Sequence, residues 1–421
     1  MTEVGGPATP TSAVARGSVA RVGAATALSA ACGYAVVYLA ARGLSPVGYS
    51  VFAVFWGAFG LVAGAANGLL QETTRAIRSG RDGRAAPGPA TRPLRIAALV
   101  GVGAAVTVLA GAPLWGPAVF VEQCGLSVGL LAVGLAGFCL HATLLGVLAG
   151  TDRWAQYGAL MVTDAAIRVA VAGSAFVLGW GLAGFLWATV AGSVAWLVLL
   201  AASPAARSAA RLLLPEGAAR FLRGAGHSIT AAGASAILVM GFPVLLKMTA
   251  GELGASGGVV ILAVTVTRAP LLVPLTALQG NLIAHFVDQR ARPLRALLAP
   301  TALVVGFGGV GVIGAALLGP WLLGTVFGPD YRAAGSLLAG LTAAAVAIAV
   351  LTLTGAAAVA AALHRAYALG WVAATAASTL LLLVTPLELG SRTVVALLCG
   401  PLAGIALHLA ALTRAAPDNG R

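Results

Sequence analysis

The chain has 421 residues, 60% of them hydrophobic and only 9% charged, with 25 Lys and Arg against 12 Asp and Glu and a net charge of +13. Soluble domains carry about 25% charged residues, so this composition excludes a string of water-soluble domains. It also points away from a nucleic-acid partner, because the arginines fall between apolar runs, where they set membrane topology and do not form a basic face.

Apolar runs of about 20 residues, each long enough to cross about 30 Å of hydrocarbon as a helix, recur through the chain. They lie at 22–41, 48–70, 96–112, 126–149, 155–178, 180–201, 229–248, 257–285, 299–319, 334–360, 366–385 and 392–412. The expected fold is an all-α polytopic membrane protein with about 12 transmembrane helices. Arg16 and Arg21 precede the first run as in a signal peptide, and Ser29-Ala-Ala-Cys32 approaches a lipoprotein cleavage site. The run continues through Leu39, past the length of a signal core, so it is expected to be retained as a span. The linker after the second span, Arg84-Ala-Ala-Pro-Gly-Pro89, is too short and too rich in Gly and Pro to fold alone, as is the segment near 112–125.

Cytoplasmic loops hold the excess of Arg and Lys. With twelve spans, Arg42, Lys247, Arg332 and Arg392 fall on one side, Arg168 and Arg268 fall within spans, and every other arginine falls on the opposite side. This places both termini in the cytoplasm of a bacterial cell, with the protein multi-pass in the plasma membrane. A missed span would invert every later loop.

The two halves of the chain resemble each other. Leu70 and Gln71 match Leu278 and Gln279, and Gly43 matches Gly251, at an offset of 208; Leu114 and Gly116 match Leu322 and Gly324; Arg153 and Gly158 match Arg365 and Gly370 at 212. An even number of spans per half predicts two six-helix lobes, 1–210 and 211–421, related by a pseudo-two-fold along the membrane normal. That arrangement suits transporters that rock two bundles about a central site.

Ionisable groups inside spans are expensive and need a partner, a watery cavity or a function. Asp164 and Arg168 lie four residues apart on one face of the fifth span: a structural ion pair, or an ion-coupling switch centred on Asp164. Arg268 has no acidic residue within a turn and precedes Pro270 and Pro274, which are expected to kink the eighth span. Two readings stay open: an arginine at a kink facing an aqueous cavity, with Gln279 and Asn281 below it, or one capping neighbouring carbonyls. Gln71-Glu72-Thr-Thr-Arg75 reads as interfacial anchoring or as a vestibule lining. His141 and His408 on apolar helices read as packing residues.

Catalytic motifs are missing. Neither a phosphate-binding GxxxxGK[ST] nor an HExxH occurs, and Cys32, Cys124, Cys139 and Cys399 have no metal spacing. No catalytic residue, metal or cofactor is expected, and the chain does not read as an enzyme.

Gly43-Leu-Ser-Pro46 followed by Tyr49-Ser-Val-Phe-Ala53 resembles the first hairpin of bacterial polysaccharide (O-antigen type) flippases, within the multidrug/oligosaccharidyl-lipid/polysaccharide exporter superfamily. Gln71-Glu72-Thr-Thr-Arg75, Thr267-Arg268-Ala-Pro270 and Val326-Phe327-Gly-Pro-Asp-Tyr331 sit where similar runs occur in those proteins. The resemblance implies two six-helix lobes forming a V around a cavity. It also implies an undecaprenyl-pyrophosphate-linked oligosaccharide as substrate, membrane lipids as surroundings, and functional links to glycosyltransferases and a polysaccharide polymerase. By the same analogy Arg75 and Arg268 would contact the anionic headgroup, with Arg21 and Arg168 as further candidates. The chain departs from many relatives, which have fourteen spans. Its first span has no carboxylate of the kind used by some drug exporters. The alternatives are a major-facilitator-type or drug-exporter-type secondary transporter of small molecules; Gly80-Arg-Asp-Gly-Arg84 only approximates the loop usual in the former.

Overall fold

The computed structural model describes residues 12–81, 89–289 and 292–415. Arg84, Arg290 and Arg421, and the side chains of Arg16, Gln279 and Asn281, lie outside what is described. Among the described residues the chain is helical, in the order α1 (Ser12–Gly43), α2 (Pro46–Arg81), α3 (Pro93–Val119), α4 (Cys124–Gly150), α5 (Trp154–Val177), α6 (Gly181–Ala191), α7 (Ala195–Ala202), α8 (Pro204–Ala210), α9 (Ala218–Val239), α10 (Phe242–Ala250), α11 (Gly254–Ala277), α12 (Gln279–Asp288), α13 (Pro293–Phe327), α14 (Gly335–Ala360), α15 (His364–Val384) and α16 (Leu389–Ala415). A 3₁₀ turn at Gly192–Val194 joins α6 to α7. Several helices begin on proline, whose missing N–H costs nothing in a first turn. Pro204 follows Ser203, whose Oγ accepts from Ala206 N at 3.2 Å, and Pro46 follows Ser45, which accepts from Gly48 N at 3.2 Å.

Among the described residues eleven helices are long and apolar enough to cross a bilayer, and twelve if α9 and α10 form one span bent by 63°. Chain direction requires the twelfth. α8 ends beside the arginine-rich loops, whereas α11 begins at the other end of the molecule, where a side chain at Gly258 would overlap the backbone of Pro46. The intervening α9–α10 pair must therefore cross.

The break in that span has a local cause. In a continuous helix the N–H of residue 243 would bond to Val239 O, but residue 243 is proline. The chain turns at Met240 and Gly241, both of whose N–H groups bond to Ala236 O at 2.9 Å. The eighth span keeps its two prolines inside one helix. α11 runs unbroken through Pro270 and Pro274, and the interruption comes at Leu278, whose N–H still bonds to Pro274 O at 2.9 Å. The sharp break beside Arg268 therefore belongs to the neighbouring span.

α1 to α8 pack chiefly on one another, as do α9 to α16, and α2 joins the two groups by packing on α9 and α11. The α2–α9 seam is made by small residues. A side-chain carbon at Gly64 would come within 2.6 Å of Ala236 Cβ, one at Gly57 within 3.0 Å of Met240 O, and one at Gly68 would overlap the backbone at Ile229. This close backbone approach is how membrane helices gain dispersion contact where burial from water is unavailable.

The two halves share one turn, in a register two residues from the one read in the sequence, with Leu363 rather than Arg365 as the counterpart of Arg153. The α4–α5 and α14–α15 connections are the same tight turn, with Asp152 at φ 58° and Ala362 at φ 60°. Arg153 N bonds to Leu148 O, and Leu363 N to Ala358 O, each at 2.8 Å. Tyr157 and Tyr367 then bond back to Arg153 O and Leu363 O at 3.0 Å. An alanine at positive φ costs about 1 kcal/mol, so Ala362→Gly should raise the unfolding temperature of the purified protein, whereas Ala361→Gly, at φ −81°, should not. A thermal unfolding series in one detergent compares them.

Candidate substrate-binding site at two broken helices

Arg268 is only 7% exposed. Its Nη1 donates to Val239 O at 3.1 Å, the carbonyl left unbonded by Pro243. Its guanidinium lies 5.4 Å from the ring centre of Phe242, the first residue of α10, a cation–π contact. Tyr34 of α1 is near enough to interact with it electrostatically. The sequence left capping and substrate contact open, and half of the guanidinium does cap. The other terminal nitrogen, Nη2, is buried with no hydrogen-bond partner, and no acidic residue pairs with Arg268 among the described residues. A buried cation without a counter-charge is costly, and a buried N–H without an acceptor adds to that cost.

Arg168 provides the contrast. Its Nη2 is 3.0 Å from Asp164 Oδ1, and its Nε reaches the two carboxylate oxygens at 3.1 and 3.2 Å. Its Nη1 donates to Thr189 O at 2.6 Å, close to where α6 gives way to the 3₁₀ turn. It also lies 5.2 Å from the centre of the Phe59 ring. Both intramembrane arginines thus bond a carbonyl at a helix discontinuity and face a phenylalanine, but only Arg168 is neutralised. Gly192 makes room for the pair, since any side chain there would collide with Asp164 and Arg168. His141, 3% exposed and stacked on Phe138 with ring centres 5.3 Å apart, lies near the same pair, with its Nδ1 unpartnered. His408 is a packing residue, held by Thr354 Oγ1 at 3.0 Å and Tyr367 O at 3.2 Å.

Arg75 is taken up by carboxylates. Its Nε donates to Glu72 at 2.9 Å, and its Nη2 lies 3.6 Å from Glu216 in the segment joining the two groups of helices. Arg220 of α9 stands 3.9 Å from the same Glu216. Glu72 and Glu216 are 2% and 3% exposed, and the joining segment is pinned further by paired backbone bonds between Thr91 and Leu214, at 3.0 and 2.8 Å. Arg21 is exposed near the start of α1 and is engaged with its neighbours; it lies 13 residues before Tyr34, about 20 Å along the helix. The structure therefore does not bring the four arginines together. It gives them four separate surroundings, of which that of Arg268 alone holds a buried, unpartnered guanidinium nitrogen. The sequence signal that was missed is Gly241-Phe-Pro243, which marks the broken span and the arginine's two neighbours. No group of three or more His, Cys, Asp or Glu could hold a metal among the described residues.

At the end of the molecule away from the arginine-rich loops, aromatic residues link the two groups of helices. Tyr331 donates to Leu44 O at 3.4 Å, and its ring meets Tyr49 edge-on at 5.9 Å. Burial and the neighbouring Asp330 raise the Tyr331 hydroxyl well above the ordinary tyrosine range, which keeps it a donor. Tyr38 of α1 contacts Phe327 at the end of α13, at 6.0 Å between ring centres.

Comparison with known proteins gives two kinds of likeness. No family model matches the chain. An uncharacterized protein of Mycobacterium bovis is 67% identical over 98% of both chains, and one of Mycobacterium tuberculosis is 67% identical over 98% of this chain and 96% of its own. Among solved structures, a multidrug resistance MATE family transporter of the MOP superfamily in its inward-facing conformation gives a TM-score of 0.71 at 15% identity, covering 93% of this chain and 96% of that one. The outward-facing conformation of such a transporter gives 0.64 at 16% identity, covering 94% and 96%. A MOP superfamily transporter from Pyrococcus furiosus, described as having a binding pocket of reverse polarity that suggests a different function, gives 0.63 at 13% identity, covering 94% and 96%. The fold is thus MATE-type, as the exporter-superfamily resemblance implied and unlike the major-facilitator alternative. These neighbours are transporters, not enzymes.

The two intramembrane arginines should respond differently to loss of charge nearby. Asp164→Asn leaves Arg168 unpaired and should lower stability by about 3 kcal/mol, and Arg168→Gln should do the same. Combining the two should recover most of the loss in a double-mutant cycle read by thermal unfolding. Simple additivity would show that the pair is not coupled.

Proposed function

We propose, for a chain that belongs to one family with these mycobacterial proteins and carries the MATE-type fold of the MOP superfamily, that it is an alternating-access transporter of an anionic lipid-linked oligosaccharide. The substrate class is that implied by the sequence resemblance, an oligosaccharide on undecaprenyl pyrophosphate, moved from the inner to the outer leaflet. The observation that carries this reading is the buried, uncompensated guanidinium of Arg268 with its unpartnered Nη2. A pyrophosphate oxygen supplies both the acceptor and the charge that the site lacks, and charge-assisted bonds of this kind are the strong ones. A cationic drug would meet like charge at the same place, which weighs against the drug-exporter alternative. One MOP superfamily relative is described as having reversed pocket polarity, and here the polarity at Arg268 is positive.

In this reading the arginine-rich end faces the cytoplasm, both termini included, in a bacterial plasma membrane. The lobes 1–210 and 211–421 are the units that rock. The better match to an inward-facing neighbour fits the contact between Tyr331 and Leu44, which lies on the outer side. Asp164 is the candidate for ion coupling, since a cation held at its carboxylate would change the charge balance at Arg168, 3.0 Å away. Arg75, held by Glu72 and Glu216, would meet substrate only after that network opens. Glycosyltransferases and a polymerase would act before and after this step.

Transport of a lipid-linked oligosaccharide in proteoliposomes tests the reading. One charge-assisted hydrogen bond contributes about 1.5–3 kcal/mol, so Arg268→Ala should lower transport by about 10- to 100-fold. Arg268→Lys should recover only part, because the planar fork and the stacking on Phe242 are lost. In cells, deletion of the gene should leave lipid-linked repeat units accumulating in the inner leaflet. Full activity of Arg268→Ala, or normal surface polysaccharide after deletion, would overturn the assignment.

A further inference from the structure

Helix α1 packs chiefly on α5 of its own half and also touches α11 and α13 of the other. The contacts with the other half fall on one face, because Tyr34, Tyr38 and Arg42 are spaced by four residues, steps of about 6 Å along the helix. Arg42, in the last turn of α1, reaches Gly328: a side-chain carbon there would lie 3.4 Å from Arg42 Nη1. One turn deeper, Tyr38 meets Phe327 at 6.0 Å between ring centres. One turn deeper again, Tyr34 lies within electrostatic reach of Arg268. A single helical stripe thus runs from the outer contact between the halves down to the buried guanidinium.

Tyr34 and Arg268 share one need. Arg268 Nη2 is buried and unpartnered. Tyr34 is half-buried, and its hydroxyl makes no hydrogen bond among the described residues. A phenol can accept as well as donate, but a guanidinium nitrogen only donates, and these two groups do not bond each other. The species that satisfies both supplies acceptors to two donors and negative charge to the guanidinium. Phosphate oxygens do this, whereas a neutral headgroup leaves the buried charge unopposed.

We propose that Tyr34 is the second donor to the anion held at Arg268, so that one phosphate group ties α1 of the first half to α11 of the second. The proposal deepens the proposed function and rests on it for the identity of the anion. Because Tyr34 shares its helical face with Tyr38 and Arg42, an anion that holds α1 against α11 also holds the outer contact those two residues make. Occupancy at Arg268 and closure at the outer end are then coupled. The coupling is reciprocal: whatever the anion adds to the outer contact, that contact adds to the anion's affinity.

The substitution Tyr34→Phe removes the hydroxyl and keeps the ring, so packing along α1 is preserved. Tyr38→Phe makes the same change one turn away and is the control. The full chain in lipid nanodiscs would be titrated with undecaprenyl pyrophosphate and, separately, with uncharged undecaprenol. Backbone hydrogen exchange would be followed at 326–332, the segment that carries Phe327, Gly328 and Tyr331.

Loss of one hydrogen bond to a charged group should weaken undecaprenyl pyrophosphate binding about 10-fold in Tyr34→Phe, while Tyr38→Phe leaves it unchanged and neither variant alters binding of undecaprenol. Bound undecaprenyl pyrophosphate should slow exchange at 326–332 in the wild type and in Tyr38→Phe, and not in Tyr34→Phe. Unchanged affinity in Tyr34→Phe would overturn the proposal, and so would equal protection of 326–332 in that variant or an equal loss of undecaprenol binding. The two readings fail separately. Binding lost in Arg268→Ala but kept in Tyr34→Phe would remove Tyr34 and leave the transport assignment standing. Binding lost in both variants, with export of lipid-linked oligosaccharide intact in Arg268→Ala, would sink the transport assignment and leave the two-donor site standing.

Discussion

The functional reading depends on one contact, the bond from Arg268 to Val239 O. It exists because Pro243 cannot supply the N–H that would close the next helical turn. The carbonyl left open needs a donor, and the arginine one span away provides it with one nitrogen. The same residue keeps another nitrogen unbonded and its charge unopposed. Within a membrane-spanning bundle that is a stability cost, and a bound anion would relieve it.

Arg168 shows what the alternative looks like. It uses the same two devices, a carbonyl at a helix discontinuity and a phenylalanine face, yet a carboxylate four residues away balances its charge. The half of the chain containing α1 to α8 thus carries a self-neutralised polar site, and the other half carries one that awaits a counter-charge. Between them runs the glycine seam of α2 on α9. A seam of small residues lets the two helix backbones approach closely. The ionic network of Glu72, Arg75, Glu216 and Arg220 sits at one end of the molecule and the Tyr331 contact at the other. Motion of one half against the other would have to break one of these sets.

Much of the fold was legible in the sequence. The number of spans follows from hydropathy, because it depends on transfer between water and hydrocarbon and needs no tertiary information. The repeat read at Arg153 and Arg365 is out of register by two residues: the turn built twice makes Leu363 the counterpart of Arg153 and Tyr367 that of Tyr157. The Asp164–Arg168 pair was legible from its spacing of four. The break in the seventh span was not, since a hydropathy window averages over Gly241 and Pro243 without registering what they do to the backbone. The helix of the eighth span continues through Pro270 and Pro274, since neighbouring helices can hold a proline turn in place. The partners of Arg75 were half legible: Glu72 is three residues away, whereas Glu216 arrives only through the fold.

A direct measurement of the central claim is the magnetic coupling between the phosphorus of undecaprenyl pyrophosphate and isotope-labelled arginine nitrogen in the membrane-embedded protein. The account predicts a guanidinium–phosphorus contact in the wild-type protein that disappears in Arg268→Gln, a variant that keeps a polar side chain but carries no charge. A contact of equal strength in that variant, or none in the wild type, would contradict it.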